Sequence, residues 1–235
     1  MTRGRSRSNC VPVNMPARQS ESVPSGRRNF RSSELEIQPD KEDASVVYSA
    51  MIRAIAPRPI AWVSTISPNG VPNLAPFSYF NGVCSKPATL MFSPVNKPDG
   101  SKKDTVRNIE AGGQFVVNVV SFSAAKPMLK SAGDFEYEES EFEAAGLTPQ
   151  ASKLVDPPAV AESPIQFECE LMQIVPVGEG PHAANLVLGK ILLIRISERV
   201  LDSRGKIDQE LVDAIGRMGG RDYCRTTERF GIELG

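Results

Sequence analysis

The sequence predicts a mostly β chain, an antiparallel barrel with short peripheral helices. Three observations carry that reading. From Ser45 onward, short apolar runs alternate with Gly, Pro and Asn, the rhythm of strands and turns. Two long runs, 165–177 and 186–200, stand out among at least five shorter ones, and the first sets Phe167, Cys169 and Leu171 against Gln166, Glu168 and Glu170, the period of a half-buried strand. The helical patterns between them are short, so a closed or nearly closed sheet has to carry the architecture.

In order along the chain, residues 59–66 (PIAWVSTI) are rich in Ile, Trp, Val and Thr, and the next four, Ser67-Pro68-Asn69-Gly70, are a hairpin signal. Residues 71–74 start the returning strand. Residues 77–83 alternate large and small side chains and 89–92 form a compact apolar run, predicting two more strands. Val106 and Ile109 share one face of a short helix that Asp104 is placed to cap, and 114–120 (QFVVNVV) is the next strand. A helix over 124–132 carries Pro127 in its first turn, where a missing N–H costs little. The acidic, then Pro-rich stretch 134–163 is expected to be a long excursion without chemistry. Gly189 breaks the second long strand and predicts a bulge there. No repeat of 20 to 50 residues is present, which excludes solenoids and propellers.

Charge and cysteine usage narrow the class. The 27 Lys and Arg nearly balance the 28 Asp and Glu, which disfavours a dedicated nucleic-acid binder. The balance conceals an asymmetry. Residues 1–33 hold seven arginines against one acid, Glu21, with many Ser and Pro, and predict a disordered tail ahead of one folded domain over 34–235. The same composition is that of an organelle transit peptide, the alternative to a plain cytoplasmic tail. Nothing approaches the roughly 18 apolar residues of a membrane-spanning helix. Cys10, Cys84, Cys169 and Cys224 are too widely spaced for a disulfide framework or a zinc site and point to a reducing compartment, the cytoplasm.

Self-contained catalytic machinery is hard to assemble from the remaining residues. The single histidine, His182, sits in a Gly-rich turn, and no Gly-x-Ser-x-Gly elbow accompanies it. One histidine makes no His-based metal site, so no metal is expected. The segment 100–105 (GSKKDT) lacks the first glycine of a phosphate loop, and there is no Gly-x-Gly-x-x-Gly. An enzyme of this kind delegates its chemistry to a cofactor.

Read together, PRPIAWVST (57–65), NLAPFSYFN (73–81), LMFSP (90–94), KKDTVRNI (102–109), FVVNVV (115–120), ESPIQFECEL (162–171), LVLGKILLIRI (186–196) and IGRMGGRDYCR (215–225) resemble the flavin reductase-like family of FMN-binding split β-barrels. The branch includes flavoredoxins and the flavin-reducing components of two-component monooxygenases. The likeness runs over about residues 45–230. It implies a Greek-key split barrel that dimerises, with one FMN per subunit near the interface. It also implies NAD(P)H as hydride donor, and a second flavin, a monooxygenase or another acceptor downstream.

On this resemblance the flavin carries the chemistry and no side chain is assigned as catalytic. Ser64, Thr65, Lys102, Lys103 and Thr105 are the candidates for the phosphate end, where hydroxyls, ammonium groups and a helix start offer donors. Asn73, Ala75, Pro76, Phe77 and Ser78 form a small-residue segment that a flat ring can approach closely, with Phe92 and Ser93 flanking it. Trp62 is a candidate ring neighbour whose ordinary alternative is the core. Arg217 and Tyr223 either face the flavin or subunit interface or tie down the C-terminal segment, and His182 is placed weakly near the nicotinamide. The competing function is a non-enzymatic, flavoredoxin-like FMN carrier reduced by a partner.

Overall fold

The computed structural model describes residues 34–232. The expected tail over 1–33 lies outside the described residues. Helix α1 (Ala44–Ala54) precedes a run of strands: β1 (Ala61–Ile66), β2 (Pro72–Phe77), β3 (Phe80–Ser85) and β4 (Ala88–Phe92). Then come α2 (Asp104–Gly112), β5 (Gln114–Asn118), α3 (Ala125–Lys130), α4 (Glu141–Ala145), and the short strands β6 (Pro149–Gln150) and β7 (Ala159–Val160). The long pair β8 (Ile165–Val177) and β9 (Ala184–Ile196), α5 (Gln209–Val212), and the strands β10 (Ile215–Arg217) and β11 (Tyr223–Arg225) complete the chain.

Seven strands form one antiparallel sheet in the order β2-β1-β5-β8-β9-β4-β3. Its two edges, β2 and β3, are consecutive in the chain yet do not pair, because the chain turns a corner at Ser78 and Tyr79. The barrel is therefore open along one seam. Inside it, Phe92 lies 5.5 Å from Phe77 and 5.4 Å from Phe115, ring centre to ring centre, with Ala61, Val63, Val117 and Val187 around them. Because side chains alternate along a strand, Trp62 points the other way. It sits in a second apolar cluster with Leu74, Val120, Met128, Phe142, Leu147 and Val160, and its Nε1 donates to Ser131 Oγ at 2.9 Å. The stretch 134–163 thus supplies core residues as well as excursion. Among the described residues no helix is long and apolar enough to cross a membrane.

Four local expectations need correction. Helix α1 was not legible, since only Ile52 of its side chains is buried and the packing period is absent. The strand expected over 77–83 is two strands, separated at the corner that opens the seam. The long strand expected to reach residue 200 ends at Ile196, and Glu198–Val200 form a 3₁₀ turn. Gly189 pairs in register with Leu90 and Leu171, and the bulges leave Leu192 and Met172 unpaired instead. The glycine answers a different need: a Cβ on it would collide with the Phe115 ring.

Candidate functional site

Side-chain hydrogen bonds behind β2 form one buried network. Asn73 Oδ1 accepts from Thr65 Oγ1 (3.2 Å) and Thr105 Oγ1 (3.0 Å), while its Nδ2 donates to Glu141 Oε1 (2.6 Å). Asn108 Nδ2 donates to Thr65 Oγ1 (3.0 Å), and Tyr137 OH donates to Asn108 Oδ1 (2.7 Å). The other Glu141 oxygen accepts the Leu74 N–H at 2.8 Å. Strands β1 and β2, helix α2 and the start of α4 are thereby locked together, with the side-chain polar atoms of these network residues satisfied, the condition under which a buried network stabilises; the neighbouring Ser140 hydroxyl is buried without a partner. Burial pushes the Glu141 carboxyl above its ordinary range, and the donors from Leu74 and Asn73 oppose that.

This network also shapes the open edge of β2. The Leu74 N–H meets Glu141 rather than β1, so residues 72, 74 and 76 turn their backbone polar groups outward by strand alternation. Two of these are proline and offer no N–H. The edge is blunted against pairing with another strand, and at Pro76 it presents a carbonyl acceptor. Ala75, Pro76, Phe77 and Ser78 are half-buried beside it.

At one end of this edge stands the start of α2. The Asp104 carboxylate does not cap the helix; it bridges Lys97 at 2.9 Å and Arg107 at 3.0 Å. Lys103 holds the N-cap position, and no carboxylate pairs with it among the described residues, whereas Lys102 pairs with Glu110. The tip of the β8–β9 hairpin is fastened to the loop before α2. Asn96 Nδ2 donates to the Gly180 carbonyl at 3.1 Å, and Gly180 and Pro181 pack against Gly100. This places the turn bearing His182, exposed and with φ +68°, by the loop leading to Lys102 and Lys103.

At the other end is Arg58, 5% exposed. Its Nη1 donates to the carbonyls of Ile52 (2.7 Å) and Ile55 (2.6 Å), its Nη2 to Met218 O (3.2 Å) and its Nε to Ser78 Oγ (3.3 Å). The Arg58 and Arg217 backbones exchange hydrogen bonds of 2.9 and 2.8 Å, so α1, β2 and β10 meet at this side chain. Arg217 lies over the Tyr223 ring at 4.5 Å and donates to Gly220 O. Burial and then Tyr48 push the Tyr79 phenol up, with Arg58 opposing. The Tyr79 carbonyl accepts the Ser93 N–H at 2.9 Å.

The expected site residues therefore divide. Ala75, Pro76, Phe77, Ser78 and Ser93 gather along the β2 edge and its corner, with Lys103 at one end and Arg217 and Tyr223 at the other; Asn73 is buried with its amide engaged in the network behind the strand, and the Phe77 ring packs on Phe92. Trp62, Ser64, Thr65, Phe92 and Thr105 are at most 1% exposed and face the interior. Ser64 Oγ donates to Pro158 O and accepts from Asn118. These five brace the site from behind, which corrects their expected ligand contacts. Arg58, Tyr79 and Glu141 were not anticipated. Arg58 had a usable signal as a lone charge between two prolines in an apolar stretch; Glu141 had none, being one acid among many in 134–143.

Comparison with known proteins adds kinship to this geometry. Residues 52–218 match the family model described as flavin reductase like domain. An uncharacterised protein of Aquifex aeolicus is 41% identical over 183 residues, 78% of this chain and 91% of its own. Nitrilotriacetate monooxygenase component B from Bacillus cereus is similar in structure, with TM-score 0.81 and 33% identity, covering 86% of this chain and all of that one. A protein from Shewanella frigidimarina, described as having a split barrel domain, superposes with TM-score 0.71 at 19% identity over 83% of this chain and 96% of that one, a likeness of fold.

Proposed function

Since the chain belongs to the flavin reductase-like family, we propose that it is an FMN-binding oxidoreductase that takes hydride from NAD(P)H and passes reducing equivalents to a second flavin or a partner monooxygenase. The observation that carries the reading is the β2 edge. A strand with its outward N–H groups removed or capped, small half-buried residues at 75–78, and a cationic group at either end matches a flat ring with a phosphate tail.

The residues present fit FMN in a smaller set than the sequence suggested. Lys103 and the free N–H groups opening α2 would hold the phosphate; the pairing of Asp104 with Lys97 and Arg107 lessens its repulsion. The Pro76 carbonyl would accept from the ring's polar edge, and Arg58 fixes the Ser78 corner against which the ring would lie. When bound, the flavin supplies a two-electron acceptor for hydride. The chain's own part is orientation and electrostatics. Arg217 and Tyr223, stacked and half-buried, would flank the nicotinamide or the subunit interface. The likeness to a monooxygenase component supports an oxygenase as the downstream acceptor, and a cytoplasmic homodimer is the proposed form.

The test is the visible spectrum of the purified protein with FMN, followed anaerobically by NADH and then NADPH. Bleaching of the flavin band by either nucleotide alone supports the reductase. A flavin that binds yet stays oxidised until a partner is supplied shifts the function to the electron carrier. Lys103→Ala is expected to weaken FMN binding about tenfold, the loss of one charge-assisted contact; unchanged affinity in a fluorescence titration would remove Lys103 from the phosphate site.

A further inference from the structure

We infer that the open ends of β8 and β9 form a second ligand site, distinct from the β2 edge, for a small carboxylate with an apolar body. Two adjoining clefts of about 220 and 470 Å³, both open to solvent and called chambers below, share Pro164 and Arg199 as their common wall. Together they fall in the range occupied by small-molecule sites, about 300–1,000 Å³.

The first chamber is built for an anion. Arg195 and Arg199 line it with Gln150, Gln166, Ser163 and Ser197, and no acid is among its lining residues. Both guanidinium groups are held in place by backbone: Arg195 Nη1 donates to Ala151 O at 3.1 Å, and Arg199 Nη2 to Glu162 O at 2.8 Å. Each such bond uses one of five N–H donors and leaves a fork free for a carboxylate. Arg195 is half-answered by buried Glu168, 3.6 Å away, but that carboxylate already accepts the Lys153 and Leu154 N–H groups. Arg199 has no carboxylate partner among the described residues.

The second chamber suits the apolar body of such a ligand. Pro164 and Leu211, the latter 52% exposed, offer its apolar surface, backed by the buried Val200 and Val212, and Ser121 and Ser123 share the lining. Its two acids are engaged, Glu162 by the Thr148 N–H and Asp213 by Arg225. Their charge directs an anionic head away, toward the arginines, and leaves the apolar wall to the rest of the molecule. Neither chamber includes a residue of the β2 edge, so the inference stands or falls apart from the flavin reading.

Calorimetry with the full chain, using benzoate, acetate and benzyl alcohol as probes, tests it. Benzoate should bind saturably, acetate more weakly for want of the apolar wall, and benzyl alcohol not measurably. Arg199→Ala, at an exposed position with a single backbone bond, should weaken benzoate about tenfold while FMN binding and the thermal transition stay unchanged. Arg199→Lys should not restore it, because an ammonium lacks the planar fork. Leu211→Ser should weaken benzoate but not acetate. Benzoate-induced amide shifts belong at 163–166, 195–200 and 211–213. The inference is overturned if benzyl alcohol binds as well as benzoate, if Arg199→Ala changes nothing, or if the shifts fall on residues 75–78.

Discussion

Glu141 shows how much one buried carboxylate can organise. It closes the edge of β2 by accepting the Leu74 N–H and fixes Asn73, which holds Thr65 and Thr105. Glu141→Ala would leave a backbone N–H and an amide buried without partners, at a cost of about 1–3 kcal/mol, seen as a lower denaturation midpoint. The pH dependence separates charge from shape. Because burial raises this carboxyl, the native state binds its proton more tightly than the unfolded chain. The associated stabilisation is complete below the ordinary glutamate range and is lost as pH rises through the raised value. The stability of the protein relative to Glu141→Gln should therefore fall as pH climbs through that window. A difference independent of pH would show that the carboxyl is not shifted. Arg58 is the counterpart at the other end of the edge. Arg58→Lys keeps the charge but cannot reach four acceptors at once, so stability and FMN affinity should fall together; loss of stability with full FMN affinity would detach the Ser78 corner from the site.

At the scale of elements, the packing of β9 rests on a missing side chain. Gly189 lies opposite the Phe115 ring, where a Cβ has no room. Gly189→Ala should cost about 1–3 kcal/mol as overpacking, and combining it with Phe115→Leu should cost less than the two changes added, since they share the contact. Additive losses would place the strain elsewhere. This contact also marks what the sequence conceals. The β1–β2 hairpin was legible because Ser67-Pro68-Asn69-Gly70 carries its own turn chemistry, with Gly70 at φ +84°. The strand β8 was legible from its alternation. A close approach between β5 and β9 is tertiary, and a glycine within a strand reads equally as a bulge. The corner at Ser78 and Tyr79 has one local mark, the break in large–small alternation at Tyr79-Phe80, but a single break does not separate a corner from an irregularity within one strand. In the candidate site, the small residues and prolines of 73–78 are visible in the sequence, and the structure places 75–78 half-buried along the β2 edge. Which way the hydroxyls of Ser64 and Thr65 point depends on strand parity, and that of Thr105 on the buried face of α2 and its partner Asn73; composition alone does not carry that.

For the whole molecule, the sheet closes around its aromatic core but leaves a seam between β2 and β3, and apolar side chains remain on the surface. Val83 on β3, Met172 and Val177 on β8, and Tyr48, Met51 and Ile55 on and just after α1 are between 44% and 57% exposed. Covering such groups with a second copy would bury them at about 25 cal/mol per Å², and a two-fold arrangement is the commonest way to do so. Light scattering should accordingly give about twice the chain mass of 25.5 kDa. The apolar clusters take their buried described members from residues 60–215, and the site draws on residues 52–223. A chain beginning at Glu34 should then keep one cooperative thermal transition, the dimer mass and the FMN affinity of the full protein. Loss of the transition would mean that residues 1–33 belong to the core. A folded but monomeric product would assign them to the interface, and a folded dimer with weakened FMN binding would bring their arginines to the phosphate.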